Sequence, residues 1–396
     1  MPVISLKMLP KGKGLLIIAI ILISIGFWVI YLAGGKNFLF RQVLFFLLGI
    51  GLLIMVSRIN PKIIFDLSFY WYLLSVISLI LVLLVSKNSA KRWINLYFFS
   101  FQPSEFAKIT YVIFLAYFLA NLKKFDFHIK NLFLPVLLTL IPTFLILLEP
   151  DLGSAFIFLF ILAILLYFRG LSFSQIFILY SPLFSFIFGF SLFTWIIYFL
   201  FLILIAFRKN TIFYGFGVLA VNSFFGLLNP IIWQSLKDYQ KQRIIAFLAP
   251  YLDPKGISWS SIQAQIAIGS GRLWGKSFSH PPLSKLDFIP NPHTDFIFTT
   301  YSEKFGFIGF IILIFLYFLF LYQIYQCATR SNDLKTQLAL AGFGGIFLYH
   351  IFVNLGMVSG ILPVTGLTLP FISYGGSSLI GNLITIGLIL NFINQD

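Results

Sequence analysis

Runs of mostly apolar residues fill nearly the whole chain, and short segments rich in Lys, Arg, Pro or Gly separate them. A helix needs about 20 such residues to cross the hydrocarbon core of a bilayer. The pattern therefore predicts an all-α, polytopic bundle of about twelve membrane helices, interrupted by one long polar segment at about 230–295. The predicted spans lie near residues 15–34, 38–56, 63–85, 105–120, 132–148, 153–168, 173–192, 194–207, 211–229, 296–325, 337–355 and 371–392.

Composition agrees with a membrane protein. Of the 396 residues, 60% are hydrophobic and 10% are charged, whereas soluble domains carry about 25% charged residues. These values exclude an ordinary soluble enzyme, and they also exclude disorder, which requires low hydrophobicity. In a soluble protein, the net charge of +15 would suggest a nucleic-acid partner. In a membrane protein it bears instead on which side of the bilayer the cations occupy, and no nucleic-acid partner is predicted. One cysteine, Cys327, excludes an internal disulfide framework.

The distribution of charge predicts the orientation of the chain. With the N-terminus in the cytoplasm, the inner segments hold thirteen Lys or Arg and the short outer segments hold six, as the positive-inside rule requires. An even number of spans then places the C-terminus in the cytoplasm too, and the first span is interpreted as a retained signal anchor. Eight of the twelve acidic residues fall at the outer face. Any chemistry is therefore predicted on the extracytoplasmic side.

Three cations near an outer membrane boundary, Lys91, Arg92 and Lys108, run against the positive-inside rule. A phosphate-bearing headgroup would suit them, because guanidinium and ammonium groups pair strongly with phosphate. Glu105 lies between them at a predicted helix start, where a helix dipole favours an acid. Snorkelling of long cationic side chains explains the same pattern without any ligand, so both interpretations stay open at this point.

Further acids stand at predicted span boundaries. Asp151 follows Pro150 and can cap the next helix, but Glu149 has no such structural explanation. Thr294 or Asp295 can cap the long span predicted at 296–325. Glu303 lies about two turns inside that apolar span, where a carboxylate needs a partner or a water-filled cavity.

The polar segment and the last loop carry the remaining features. Residues 231–250 mix cations with apolar positions, which predicts an amphipathic surface helix, and an Asp253-Pro254 turn follows. His293 alone does not make a metal site. Residues 354–378 combine Gly, Pro, Ser and Thr at membrane depth. Such broken backbone is tolerated only where it lines a cavity or is buried in protein.

Five stretches in this order, 91–108, 149–155, 243–276, 288–309 and 354–379, resemble the SEDS family (shape, elongation, division and sporulation). The most specific are Gly-Ile-Leu-Pro-Val-Thr-Gly-Leu at 360–367 and Ile-Ser-Tyr-Gly-Gly-Ser-Ser at 372–378. Within the family, the chain is most similar to the elongation-specific branch. The resemblance implies one transmembrane domain over 1–396, with the segment 230–295 as an extracytoplasmic catalytic loop inside it.

The resemblance also implies a function. The family consists of peptidoglycan glycosyltransferases of the bacterial cytoplasmic membrane, which polymerise lipid II on the outer face beside a class B penicillin-binding protein. The essential acid of the family corresponds to Asp253 in this chain. Asp253 would act as a general base toward a sugar hydroxyl, or it would position the substrate or a metal ion. The metal is unknown, and a divalent cation such as Mg²⁺ is one option. The predicted substrate-binding residues are Lys91, Arg92, Glu105, Lys108, Arg243, Gln263, Lys276, His293, Asp295, Glu303, Ser373 and Tyr374.

The chain departs from the family pattern at several places. The family usually has ten spans, so about two are in excess here, within 173–230. It commonly has Gln where this chain has Glu149, and Gly where this chain has Arg272. Alternatives are the division-specific branch with the same chemistry, a flippase for lipid-linked sugars, and a non-catalytic scaffold. A transporter would want its site near the midplane, whereas the acids here favour the outer face.

Overall fold

A computed structural model describes residues 12–85, 92–96, 99–123, 125–208, 212–235, 238–250, 258–276 and 292–395. Within these ranges the chain forms helices and one small hairpin. The helices are α1 (Lys13–Gly34), α2 (Lys36–Ser57), α3 (Pro61–Asp66), α4 (Ser68–Val85), α5 (Pro103–Asn121), α6 (Ile129–Leu148), α7 (Leu152–Phe168), α8 (Phe173–Phe188), α9 (Leu192–Phe207), α10 (Ile212–Ser235), α11 (Asp238–Leu248), α12 (Trp259–Ser270), α13 (Ile297–Arg330), α14 (Leu334–Val358) and α15 (Gly376–Gln395). The antiparallel hairpin is β1 (Ile94–Leu96) and β2 (Phe99–Phe101).

The prediction of a polytopic helical bundle is confirmed. Each predicted span coincides with a helix, and eight helices in the described residues are long and apolar enough to cross a membrane. Three shorter apolar helices, α7 to α9, and the 19-residue α5 account for the other predicted spans. The span predicted at 63–85 is divided at Leu67 into α3 and α4, and the last helix begins five residues later than the predicted 371. The interpretation of two helices within 173–230 as additions to the family core stays a prediction.

Helices α14 and α15 form the centre of the bundle, since about four-fifths of each is buried. Helix α14 packs on α5, α7 and α13, and α15 packs on α2. By contrast, α2 and α10 present most of their apolar residues outward. In a membrane protein such surface faces lipid or other helices, so it needs no further explanation.

Two prolines inside helices are compensated by hydroxyl groups. Pro142 in α6 has no N–H to donate to the carbonyl of Leu138, and the hydroxyl of Tyr72 donates to that carbonyl at 2.7 Å instead. Pro182 in α8 likewise frees the carbonyl of Ile178, which accepts from Ser181 Oγ at 2.7 Å. The freed backbone acceptors are therefore satisfied without water.

A buried amide holds α8, α9 and α10 together. Asn222 Nδ2 donates to Ser181 Oγ at 2.8 Å, and the hydroxyl of Tyr198 lies 3.2 Å from Asn222 Oδ1. Ser185 Oγ donates to the main-chain oxygen of Asn222 at 2.7 Å. Polar side chains of this kind link helices inside a membrane. An apolar cavity of about 560 Å³ separates α6 from α8 and α10, and none of the predicted site residues lines it.

The described part of the polar segment 230–295 is largely helical. Helix α10 continues to Ser235, five residues beyond the predicted boundary at 230, and α11 and α12 follow. The helix predicted over 231–250 is therefore divided between the end of α10 and α11. The Asp253-Pro254 turn lies outside the described residues.

Candidate active site

Arg92 is anchored to the turn between α6 and α7. Its Nε donates to the main-chain oxygen of Glu149 at 3.2 Å, and its terminal nitrogens contact the main-chain oxygen of Pro150 and, at 3.5 Å, Asp151 Oδ2. Asp151 also accepts from the backbone N–H of Ser154 at 3.1 Å, which confirms the predicted cap of α7. The guanidinium thus joins the segment before the hairpin to the C-terminal end of α6 and the N-terminal end of α7.

Glu149 is the unusual member of this turn. Its side chain is fully buried at 0% exposure, and neither carboxyl oxygen has a hydrogen-bond partner among the described residues. Burial and, to a smaller extent, the neighbouring Asp151 raise the pKa of Glu149 while Arg92 lowers it, and together they bring it to about 8. A buried carboxyl without partners is costly when ionised, so Glu149 is protonated at neutral pH.

We expect Glu149→Gln to stabilise the protein mainly at alkaline pH. Because its pKa is higher in the folded than in the unfolded state, folding stability falls as pH rises from the ordinary carboxyl pKa through about 8. Glutamine does not titrate and removes this loss. The thermal unfolding midpoints of both proteins in nanodiscs, at pH 5.5 and pH 8.5, test this. The gap in favour of Gln should be larger at pH 8.5.

Asp151→Asn is the matched control for that measurement. Asp151 is paired with Arg92 and caps α7, so its loss should lower the midpoint at both pH values. An equal gap between Glu149→Gln and wild type at both pH values would contradict the assignment of a raised pKa to Glu149.

Helix α5 contributes a buried ion pair near its N-terminal end. It begins at Pro103 with Glu105 in its first turn, as predicted. Lys108 Nζ lies 2.8 Å from Glu105 Oε2 and 2.8 Å from Nε2 of His350 on α14. Glu105 is 5% exposed, Lys108 is 3% exposed and His350 is 4% exposed. Glu105 and Lys108 are therefore brought together, but they are enclosed rather than open to solvent.

His350 is a residue that the sequence reasoning missed. It stands inside an apolar span, where a lone histidine is usually a satisfied core residue. The available signal was its spacing, because His350 and Asn354 are four residues apart and share one face of a helix. Both side chains turn out to bind the same non-helical segment.

That segment, residues 359–375, is the hub of the site. Asn354 Nδ2 donates to the main-chain oxygens of Leu367 at 2.7 Å and Asp295 at 3.0 Å. Ser373 Oγ donates to the main-chain oxygen of Thr294 at 2.8 Å and accepts from the N–H of Leu369 at 2.9 Å. The backbone is thus broken where it is bound by surrounding protein, as predicted for residues 354–378.

Aromatic rings pack together at the end of the hub, around Tyr374. The N–H of Tyr374 donates to the main-chain oxygen of His293 at 2.9 Å, and the rings of His293 and Phe38 have centroids 4.0 Å apart. Gln42 on α2 donates to Ser373 O and accepts from Gly375 N, both at 3.2 Å. Burial lowers the pKa of His293. His293, Ser373 and Tyr374 therefore form one structural unit.

The predicted cap of α13 is wrong. The helix begins at Ile297, and Phe296 at the cap position makes no side-chain capping bond. The preceding turn is instead fastened to the hub through the main-chain oxygens of Thr294 and Asp295. Burial raises the pKa of the Asp295 carboxyl, and the nearby Asp151 adds to the rise. The charge of the α6–α7 turn thus affects the pKa of Asp295.

A second network joins α12 to α13. Lys276 Nζ lies 2.9 Å from Glu303 Oε1, so the partner predicted for this buried carboxylate is present. Gly306 interrupts α13 with a φ of 63°. The interruption frees the oxygen of Glu303 and the N–H groups of Phe307 and Ile308. These groups pair with Lys276 N, Arg272 O and Leu273 O at 2.9, 2.9 and 3.1 Å.

Some predicted residues are not placed by these contacts. Gln263 is half-buried on α12, while its neighbour Gln265 donates to the main-chain oxygen of Ser359 at 3.3 Å. Asp253 and Lys91 lie outside the described residues, as does the side chain of Arg243 on α11. Among the described residues, no group of three His, Cys, Asp or Glu could hold a metal ion.

Comparison with known proteins matches two overlapping parts of the chain, residues 13–203 and 191–396, to the family of cell cycle proteins FtsW, RodA and SpoVE. The chain belongs to this family. The membership predicted from the five motif stretches is therefore confirmed, and the networks above include residues from all five of those stretches.

Individual relatives cover nearly the full length of the chain. Peptidoglycan glycosyltransferase MrdB of Escherichia coli K12 is 32% identical over 95% of this chain and 92% of its own. Peptidoglycan glycosyltransferase RodA of Treponema pallidum is 32% identical over 95% and 96%. A solved chain from a peptidoglycan synthase complex is 30% identical, covers 98% of this chain and 99% of its own, and has a TM-score of 0.75. The chain is thus a RodA-like, multi-pass membrane protein.

Proposed function

We propose that this chain is a peptidoglycan glycosyltransferase of cell elongation, which polymerises lipid II on the outer face of the cytoplasmic membrane. The observation that carries the proposal is the hub. It gathers Asp295, Ser373, His350 and, through His350, the Glu105–Lys108 pair at the end of the bundle where the polar segment begins. Relatives that are 32% identical over 95% of this chain are named peptidoglycan glycosyltransferases.

The arrangement supports an enzyme rather than a flippase. A transporter places its ionisable groups near the membrane midplane, with access from both sides. Here Arg92, Asp151, Asp295 and Lys276 stand in turns outside the helices, Glu105 stands in the first turn of α5, and Glu303 stands in the second turn of α13. The orientation with both termini in the cytoplasm, which puts these ends outside, remains part of the proposal.

The reaction assigns different tasks to the predicted residues. A sugar hydroxyl of one lipid-linked unit attacks the anomeric carbon of another, and a prenyl pyrophosphate leaves. Asp253 takes the hydroxyl proton as general base. Five cations stabilise the charge that develops on the pyrophosphate, namely Lys91, Arg92, Lys108, Arg243 and Lys276. Glu105, Asp295 and Glu303 fix the position of the cations and of the outer segment, and residues 230–295 act as the catalytic loop.

The partner and the cofactor belong to the same proposal. A similar solved chain comes from a complex described as coordinating polymerization and crosslinking, which supports a class B penicillin-binding protein as partner. A divalent cation such as Mg²⁺ would stabilise the leaving pyrophosphate. Because the described residues lack a cluster of three ligands, such an ion would be held mainly by the pyrophosphate and by acids of the outer segment such as Asp253.

The direct test is polymerisation of labelled lipid II by the purified chain with its candidate partner, with Mg²⁺ or with EDTA. We expect a ladder of glycan strands on a gel, and a loss of the ladder in EDTA. The partner alone is the control for polymerisation that does not come from this chain. Absence of polymer from an intact complex, together with transfer of lipid II across vesicles, would replace the proposal with a flippase.

A further inference from the structure

A buried histidine completes the ion pair of α5. Lys108 is enclosed by protein, and an ammonium in that position is expensive unless its N–H groups are bound. Glu105 Oε2 accepts one N–H at 2.8 Å. The second acceptor at 2.8 Å is not a carboxylate but His350 Nε2. Lys108 is therefore held between two helices, α5 and α14.

These contacts fix the protonation state of His350. An ammonium has three donors and no acceptor, so His350 Nε2 must accept and cannot carry a proton. The other ring nitrogen, Nδ1, lies 3.2 Å from the main-chain oxygen of Thr368, which accepts only. Nδ1 must therefore carry the proton. His350 is a neutral imidazole in its Nδ1–H form.

The same ring reaches the hub. Thr368 belongs to the segment 359–375, and its Oγ1 shares a hydrogen bond of 2.8 Å with Ser378 Oγ at the start of α15. The ring thus stands between the Lys108 ammonium and the backbone to which the turn of Thr294 and Asp295 is also fastened. His350 is therefore in contact with both Lys108 and the hub.

We propose that His350 is a positioning residue for glycosyl transfer, one that fixes the Lys108 ammonium and couples it to the 359–375 hub. The inference rests on the proposed function. Two N–H groups of Lys108 are used by Glu105 and His350, and the third then has one fixed direction, available to a phosphate or sugar oxygen when substrate opens the site. Without His350, the ammonium can turn toward Glu105 alone.

Two substitutions separate this role from simple packing. Gln offers the same pair of groups as the neutral ring, an oxygen acceptor for Lys108 and an N–H donor for Thr368, whereas Leu offers neither. We expect His350→Leu to lower kcat for lipid II polymerisation at least tenfold with little change in KM, because the lost bond is made to a charged group. His350→Gln should stay within about threefold of wild type.

Tyr349→Phe is the matched control. Tyr349 is the neighbouring residue on α14 and donates to the main-chain oxygen of Gly153 at 3.0 Å, without contact to Lys108. Its loss removes a part-buried hydrogen bond from the same helix. We expect this variant to keep the wild-type kcat, and thermal unfolding of all three variants monitors their folding.

A spectroscopic measurement tests the placement independently of activity. The chain has four histidines, so ¹⁵N-histidine labelling with His350→Gln as the assignment variant isolates the ring. We expect the ¹⁵N shifts of a neutral ring protonated on Nδ1. An imidazolium at neutral pH, a proton on Nε2, or wild-type kcat in folded His350→Leu would each overturn the inference.

The remaining outcomes also test the positioning role of His350. Equal losses in folded His350→Gln and His350→Leu would refute the positioning role. If His350→Leu does not accumulate, the rate of His350→Gln and the ring shifts carry the test. If wild type makes no polymer, the proposed function fails, while the ring shifts still show whether His350 is held between Lys108 and Thr368.

Discussion

Asp253→Asn should insert and assemble at the wild-type level yet polymerise lipid II at least a hundredfold more slowly. Asparagine keeps the size and the hydrogen-bonding capacity of the side chain, but it cannot accept the proton of an attacking hydroxyl. One positioned general base is typically worth about 10²–10⁴-fold in rate. The measurement is the initial rate of polymer formation at saturating lipid II, normalised to folded protein.

Asp287→Asn is the control for that prediction. Asp287 is another acid of the segment 230–295, but it lies outside the motif stretches, so its loss should leave the rate near that of wild type. A near-normal rate in Asp253→Asn would remove Asp253 from catalysis. Loss of the rate in both variants would instead attribute the effect to the charge of the whole segment.

Gly275→Ala should abolish the Lys276–Glu303 contact and lower the polymerisation rate strongly, with a clear fall in the thermal unfolding midpoint. Gly275 has a φ of 85°, and a Cβ there would overlap the main-chain oxygen of Lys304. Neither group can move away cheaply, because the backbone on both sides is hydrogen-bonded across the Gly306 interruption. The expected cost combines strain at positive φ, about 1–2 kcal/mol, with the overlap itself.

Arg272→Gly is the matched control three residues earlier. Arg272 also has positive φ, at 50°, but it is exposed, so glycine relieves strain without leaving a cavity. We expect its unfolding midpoint to equal or exceed that of wild type. If Gly275→Ala unfolds like wild type and keeps its activity, the interlock of α12 with α13 does not position the site.

Much of this architecture was predictable because a bilayer requires long apolar helices and makes unpaired charges within them costly. Spans were found from apolar runs, Asp151 was identified as a cap, and Glu303 was expected to need a partner because a lone carboxylate is costly in an apolar helix. These inferences depend on a residue and its immediate neighbours in the chain.

Other features depend on contacts that no local pattern encodes. His350 resembles a core residue until α5 is packed against α14, and only then does it meet Lys108. Thr294 and Asp295 have good capping side chains, but the hub binds their main-chain oxygens and the helix starts later. The left-handed φ of Arg272 was signalled only by a departure from the family pattern.

The interruption of α13 has a mechanical consequence. Residues 307–330 form its uninterrupted part, which at about 1.5 Å per residue is roughly 36 Å long, compared with about 30 Å of hydrocarbon. In the proposed orientation Arg330 lies at the cytoplasmic surface, and the length of this segment then sets the distance of Glu303 and Lys276 from that surface. Hydrophobic mismatch between the segment and the bilayer would then shift these two residues relative to the membrane, so the acyl-chain length of the surrounding lipids would enter the geometry of the proposed site.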